Sequence, residues 1–184
     1  MNTVLLLLLA IPLIIIAYAI SLYNALVQLK MKVEEALADI DTFLKQRYDM
    51  IPNLVEIVKG YAKHEQETLE KLTELRSKAM QTENVADRVE TENQISQTLK
   101  SLFAVAENYP DLKANTNFLD LQQKLTGLED NIQKSRRYYN GTVQNFNTKI
   151  ATFPNNLLAG PLGYKPYKFF AANEEEKENV KVQF

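Results

Sequence analysis

The sequence predicts an all-α protein in which an N-terminal transmembrane helix is continuous with an antiparallel bundle of three to four long helices. Residues 4–23 contain no charged residue. Further along, apolar residues recur at steps of three, four and seven, which is the spacing of one face of a helix. Strand-like alternation of useful length does not occur. We therefore place the anchor at residues 1–23, the bundle at residues 24–153, and a C-terminal tail packed on or near the bundle at residues 154–184.

The N-terminal stretch has the length and composition of a membrane span. About 20 apolar residues, each rising about 1.5 Å, cover a hydrocarbon core of roughly 30 Å. Tyr18 and Tyr23 suit the headgroup region, and Pro12 is tolerated in membrane helices. A cleaved signal peptide is the alternative, because residues 17–19 resemble a small-x-small cleavage site. The first three residues lack Lys and Arg, however, and the apolar run is long for a signal peptide, so we favour an uncleaved anchor.

The basic residues near this span predict its orientation. None precedes the span, whereas Lys30 and Lys32 follow it closely, with Lys45 and Arg47 further along. Basic residues concentrate on the cytoplasmic side of membrane proteins. We therefore expect a short N-terminus outside the cell and a cytoplasmic C-terminal domain.

Composition limits the possible functions. The 184 residues allow the anchor and one domain with a sizeable core. Cysteine is absent, which excludes disulfides, a thiolate nucleophile and cysteine-bound zinc, and agrees with a reducing compartment. The net charge of −2 gives no general attraction to nucleic acid, so we expect no nucleic-acid partner.

The first bundle helix is predicted to continue directly from the anchor, because no Gly or Pro separates them. Pro52 lacks an N–H and leaves the Tyr48 carbonyl without its helical partner, which predicts a kink near residues 50–52. Whether this break is a kink or a turn stays open. The apolar pattern then resumes and fades near Met80, so we expect this helix to end at Gln81. Its apolar stripe comprises Leu22, Leu26, Leu29, Val33, Leu37, Ile40, Leu44, Ile51, Val55 and Val58.

Two further helices are predicted, over residues 85–108 and 117–153, with turn-forming residues 110–117 between them. The last helix has a strict seven-residue apolar repeat. Its companion track begins with Leu121 and Leu128 and passes to Val143 and Ile150 halfway along, and Pro154 ends the helix. The repeat consists of Phe118, Leu125, Ile132, Tyr139, Phe146 and Phe153.

Helix lengths suggest self-association. A straight helix over residues 24–81 would be about 85 Å long, whereas the second helix would be only about 37 Å. The second helix cannot cover the first, so either the first bends at Pro52 or its stripe over residues 22–44 is unpaired. An unpaired apolar stripe needs a partner. We therefore expect a homo-oligomer.

The tail combines apolar and aromatic residues with turn formers up to position 170. We favour a loop packed across the end of the bundle over a membrane- or partner-binding segment. Residues 174–178 form a solvated acidic run, and residues 180–184 alternate and are candidates for docking.

No catalytic, cofactor or metal site is predicted. His64-Glu65 resembles half of a zinc site, but His64 is the single histidine, which rules out HExxH and paired di-iron motifs within one chain. Because His64 shares a helical track with Tyr61 and Leu72, we expect a hydrogen-bonded histidine in the helix seam. We predict that the protein is not an enzyme. An unrecognised enzyme using His64 or the carboxylates Asp39, Asp41 and Asp49 remains the least favoured alternative.

Polar residues along the helix seams have a structural interpretation. Residues 134–139 mix basic and aromatic side chains as nucleic-acid sites do, but Tyr139 belongs to the seam and acidic residues lie one turn before it. Arg47 lies at the edge of the first stripe, and Ser135 and Thr142 interrupt the last helix. Buried polar groups can fix helix register, so we predict an internal polar network around Arg47.

Five segments together resemble the signature of the LemA family: residues 40–55 (IDTFLKQRYDMIPNLV), 58–65 (VKGYAKHE), 109–115 (YPDLKAN), 135–140 and 153–160 (FPNNLLAG). The segments follow one another in the family's order, and the resemblance as a whole covers nearly the whole chain. Gln46 and Met50 depart from the pattern, where Arg and Leu are expected. The candidate structural or interaction residues are Arg47, Tyr48, Asp49, Pro52, His64, Pro110, Arg136, Tyr139, Asn140 and Pro154.

This resemblance implies a mostly bacterial protein with one N-terminal membrane helix, a long-helix antiparallel bundle and no established catalytic activity. Family members are often encoded near membrane metalloproteases, and one relative takes part in building magnetosome membranes. We therefore expect a self-assembling scaffold or adaptor in the bacterial inner (cytoplasmic) membrane. The alternatives are a regulatory partner of a membrane metalloprotease and a membrane-shaping protein.

Overall fold

The computed structural model describes residues 3–82 and 85–170, and its regular elements are all helical. This confirms the predicted all-α class. The α-helices are α1 (Thr3–Tyr61), α2 (Gln66–Gln81), α3 (Val85–Ala106), α4 (Pro110–Lys113), α5 (Thr116–Ala151) and α6 (Asn156–Ala159), and a short 3₁₀ turn, Lys63–Glu65, separates α1 from α2.

Helix α1 continues from the apolar N-terminal stretch into the bundle, as predicted. It passes through Pro52, so the break that remained open there is not a turn. The helix ends at Tyr61, however, because Ala62 leaves the helical conformation (φ −120°, ψ 73°). The expectation of one helix reaching Gln81 was therefore wrong. The sequence signal for this end was small. It consisted of a glycine at position 60 and a gap of seven residues in the apolar pattern between Tyr61 and Leu69.

The described helices form two compact units. The first consists of the described parts of Met1–Ala38 and Tyr138–Lys168, and the second of those of Asp39–Arg137 and Phe169–Phe184. Both α1 and α5 contribute to each unit.

In the second unit, neighbouring helices are antiparallel, as the short turns predict. Arg76 on α2 reaches the Tyr48 carbonyl on α1, and these residues are equally far in sequence from Ala62. Helix α2 packs on α3. Asn93 and Ser96 on α3 contact Arg136 and Glu129 on α5, respectively, so α3 and α5 run in opposite directions. The core includes Ile40, Leu44, Ile51, Leu54, Val58, Leu72, Ile95, Leu99, Leu102, Leu125 and Ile132.

In the first unit, the apolar stripe of α1 is covered within the monomer. Leu22, Leu26 and Val33 are 4% exposed or less, and on α5 Val143 and Phe146 are equally buried. Of the two alternatives, an unpaired stripe is therefore wrong, and it no longer supports self-association. Homo-oligomer formation itself stays a prediction. The prediction compared α1 only with α3, which has 22 residues. Helix α5 has 36 residues, and its C-terminal part lies in the same unit as the stripe.

The seven-residue repeat of α5 is buried from Phe118 to Phe146, and the companion track passes to Val143 and Ile150 as expected. The last member of the repeat differs. Phe153 lies beyond the end of α5, precedes a cis peptide bond to Pro154, and is 78% exposed.

The tail lies along α5 instead of across the end of the bundle. The Asn147 amide donates to the Tyr167 carbonyl (2.9 Å) and accepts from its N–H (2.9 Å). The Tyr139 hydroxyl donates to the Lys168 carbonyl at 3.0 Å. The predicted acidic run and docking segment, at 174–178 and 180–184, lie outside the described residues.

Candidate functional site

Arg47 lies at the centre of a buried cluster in the second unit, where α1, α3 and α5 meet. Its side chain is fully buried. The guanidinium forms ion pairs with the Glu92 and Glu129 carboxylates and donates to the Ser96 hydroxyl at 2.9 Å. The Tyr48 hydroxyl donates to the other oxygen of Glu92. We call these five residues, Arg47, Tyr48, Glu92, Ser96 and Glu129, the Arg47 network.

Every carboxylate oxygen in the Arg47 network has a donor. Glu92 accepts from Tyr48 and Arg47, and Glu129 accepts from Arg47 and from the Ser96 hydroxyl at 2.6 Å. A buried ion pair is destabilising unless hydrogen bonds satisfy both partners. In this network both carboxylates are satisfied, whereas the buried Nε of Arg47 has no hydrogen-bond partner among the described residues. The ion pairs link α1 to α3 and α5 and fix the relative positions of the three helices.

The charges of the Arg47 network support each other. Burial lowers the pKa of Arg47, but the Glu129 and Glu92 carboxylates outweigh that effect and raise it overall. Burial and the Glu92 carboxylate raise the pKa of the Tyr48 phenol, so Tyr48 remains a neutral donor at physiological pH. The Arg47 guanidinium and the Tyr48 phenol are thus held in one protonation state, which suits a structural role better than proton transfer.

Arg76 resolves the backbone problem that Pro52 creates. Proline has no N–H to give to the carbonyl four residues earlier, which is that of Tyr48. In the structure the Arg76 Nε of α2 donates to this carbonyl at 2.7 Å. A side chain from the neighbouring helix therefore replaces the missing helical hydrogen bond, and α1 continues through the proline.

Two of the motifs singled out in the sequence meet at one end of the second unit. The Tyr109 hydroxyl donates to the Glu65 carboxylate (3.2 Å), and the Asn115 amide donates to the Tyr61 hydroxyl (3.1 Å). Asn115 also accepts from the N–H groups of Asn117 and Phe118 at the start of α5. Residues 58–65 and 109–115 thus close the same end of the bundle.

The structure brings together only part of the predicted residue set. Arg47 and Tyr48 belong to the Arg47 network. Asp49, Pro52 and Pro110 are exposed, Pro154 and Asn140 are half-buried, and Tyr139 is buried. Arg136 donates to Asn93 at 3.0 Å, and its guanidinium lies 4.6 Å from the centre of the Phe170 ring.

Two expectations about polar residues were wrong. His64 is exposed in the 3₁₀ turn and not in a helix seam, because α1 ends before it. Thr142 donates to the Tyr139 carbonyl of its own helix (2.8 Å) and is not part of the Arg47 network.

The partners of Arg47 were missed in the sequence. Glu92 occupies a core position of α3, three residues after Val89 and three before Ile95, and this spacing was the available signal. A charged residue on an apolar track is unusual unless it is paired.

The N-terminal part of α1 presents apolar side chains to its surroundings. Ile14 is 67% exposed and Ile16 is 55% exposed, although both lie in a continuous apolar run. By length and composition, α1 is the one helix among residues 3–82 and 85–170 that can cross a membrane. Within the same residues no group of three or more potential metal ligands occurs.

Comparison with known proteins identifies the family. The LemA family model matches residues 36–184, which include the whole Arg47 network. Over 158 residues, the chain is 32% identical to Protein LemA of Metamycoplasma hominis, an alignment that covers 85% of this chain and 72% of that protein. The chain belongs to the LemA family.

A second relative of this LemA-family chain is more distant. Magnetosome protein MamQ of Magnetospirillum gryphiswaldense is 28% identical over 72 residues, which is 39% of this chain and 26% of that protein.

The match to the LemA family model confirms the resemblance found in the sequence motifs.

Proposed function

We propose that this LemA-family protein is a single-span, membrane-anchored helical scaffold or adaptor without catalytic activity. One observation carries the proposal: the exposed apolar surface of α1 continues as one helix into a bundle whose buried charges are paired internally. A helix that is apolar on all sides is stable in lipid and not in water.

Two pairs of lysines support a cytoplasmic location of the C-terminal domain at the inner membrane. Lys30 and Lys32 follow the apolar stretch of α1, and Lys165 and Lys168 are exposed on the tail of the same unit. Basic residues near the end of a span favour the cytoplasmic side.

Homo-oligomer formation remains part of the proposal, but on different grounds. Because the 22–44 stripe is buried, association would use the apolar anchor helices. The similarity to MamQ, a protein named for the magnetosome, favours membrane shaping as a second candidate function. A regulatory role beside a membrane metalloprotease rests on the family resemblance alone.

The test compares membrane association of the full chain with that of the Leu13→Arg/Ile16→Arg variant. Each arginine at the centre of a span costs about 2.5–3.5 kcal/mol of insertion free energy, so this variant should leave the membrane fraction at alkaline pH. Met31→Arg, at an exposed position after the span, is the matched control and should remain. Extraction of the unmodified protein at alkaline pH would contradict the anchor.

Size measurement in mild detergent then separates the roles. A discrete high-order homo-oligomer supports a scaffold or a membrane-shaping protein. A monomer that co-purifies with a membrane protease supports the adaptor role.

A further inference from the structure

We propose that a second apolar element, the corner at residues 153–162 where the chain leaves α5 and begins the tail, enters the membrane interface beside the anchor helix. The inference rests on the proposed membrane anchor and adds a lipid-contacting site to it. The side chains that would contact lipid are Phe153, Leu157 and Leu162.

The corner exposes apolar side chains from an ordered frame. Phe153 is 78% exposed, Leu157 62% and Leu162 46%, whereas Asn155 and Ala159 between them are buried. The Asn155 amide donates to the Lys149 carbonyl at 3.0 Å, which fixes the corner to the end of α5. Clustered apolar exposure of this kind marks an interaction surface more often than isolated exposed residues do.

A contact with α1 fixes the position of the corner along the axis of the anchor helix. The Tyr18 hydroxyl lies 3.5 Å from the Asn155 side-chain oxygen, to which it donates. Tyr18 precedes Tyr23, the last residue of the predicted span, by five residues, or about 8 Å of helix rise. Interfacial apolar elements are buried by about 5–10 Å at the boundary between headgroups and acyl chains, so the corner lies at the matching depth.

The charges of this unit identify lipid as the occupant. Residues 3–38 and 138–168 contain five lysines and two glutamates, although the whole chain has a net charge of −2. Burial and the Glu34 carboxylate raise the pKa of Tyr167, and the Lys30 ammonium opposes them. The tail at Tyr167, which the Asn147 side chain holds on α5, therefore returns beside the basic end of the anchor. Lysines next to exposed apolar side chains match an anionic membrane surface.

A tryptophan scan tests the corner directly, because the chain contains no Trp. The full-length Phe153→Trp variant is reconstituted into vesicles of phosphatidylcholine and phosphatidylglycerol with brominated acyl chains. We expect a blue-shifted emission that the bromines quench strongly. Leu157→Trp is a second probe with the same expected result, in case the first variant does not fold.

Two controls separate this inference from the anchor proposal. Ile16→Trp, within the span, should be quenched, whereas Tyr138→Trp, 53% exposed on α5 of the same unit, should not. Quenching of Ile16→Trp without quenching at either corner position overturns the inference and leaves the anchor intact. If the bromines do not quench Ile16→Trp, the proposed membrane anchor itself is contradicted. Corner tryptophans shielded from aqueous iodide but not quenched by bromine would indicate a protein partner, which also overturns the inference.

Discussion

Arg47 is fully buried and carries one positive charge between two carboxylates, of which Glu92 is fully buried and Glu129 is partly exposed. These two partners come from two other helices. The guanidinium suits this position because its planar fork bonds several acceptors at once, which a lysine ammonium cannot do with the same geometry. The arrangement explains why an arginine lies on the inward face of α1.

Replacement of Arg47 by Ala should destabilise the protein severely. Glu92 would be left buried without its counter-charge, and loss of one partner from a buried pair costs about 3–5 kcal/mol. The free energy of unfolding, from urea denaturation in mild detergent, measures this. Lys45→Ala, two residues away and exposed, is the control and should change it by less than about 0.5 kcal/mol. Equal midpoints for the two variants would contradict the structural role of the Arg47 network.

Tyr48 predicts a decline of stability at alkaline pH. Because its pKa is raised in the folded protein, its contribution is fully present below pH 10.0, the ordinary value, and is lost as pH rises above it. Tyr48→Phe should therefore make the free energy of unfolding fall less steeply as pH rises. At neutral pH the same substitution should lower the free energy of unfolding by about 1–3 kcal/mol, because a Glu92 oxygen loses its donor. Thermal denaturation at several pH values measures both effects. Tyr138→Phe, at an exposed position, is the control, and an unchanged slope for Tyr48→Phe would contradict the prediction.

At the scale of the helices, α1 is continuous through Pro52 because α2 supplies a donor. The hairpin at Ala62 brings Arg76 beside the Tyr48 carbonyl, so the proline and the arginine form a pair across two elements. The proline alone would leave the Tyr48 carbonyl without a hydrogen bond. Because α2 folds back along α1, Arg76 supplies that hydrogen bond.

A double-mutant cycle tests this pairing. Arg76→Met should cost about 1.5–3 kcal/mol in the natural sequence, because it removes a charged donor from the carbonyl. In the Pro52→Ala background the new N–H satisfies Tyr48, so the same substitution should cost less. Urea denaturation of the four proteins gives the coupling energy. Equal costs in both backgrounds would show that Arg76 acts independently of the proline.

At the scale of the whole molecule, the lysines at 30, 32, 165 and 168 predict the orientation in the membrane. A reporter fused after Phe184 that is active only outside the cytoplasm should be inactive, and one that is fluorescent in the cytoplasm should be bright. Substitution of all four lysines by Gln should reduce this bias. If the external reporter were active in the unmodified protein, the C-terminal domain would lie outside the cytoplasm, opposite to the prediction.

The sequence by itself determined the helical class, the continuity of the apolar N-terminal stretch with the first bundle helix, the extents of α3 and α5, and the family. These properties depend on local patterns: an apolar run, a seven-residue repeat, and motifs in fixed order. They also include the inward face of α5 up to Phe146, because the period of a helix assigns each residue to a face.

Only the tertiary structure decided which element covers which face. The apolar stripe of α1, which the short α3 could not cover, is buried in the same unit as α5 and the tail. Helix α1 ends at Tyr61, and Glu92 and Glu129 lie against Arg47. The tertiary structure also left Phe153 exposed although the repeat predicted burial. The physical reason is that periodicity specifies the inward side of a helix but not its neighbour. That neighbour depends on where the chain turns and on contacts between residues such as Arg47 and Glu129, which are far apart in sequence.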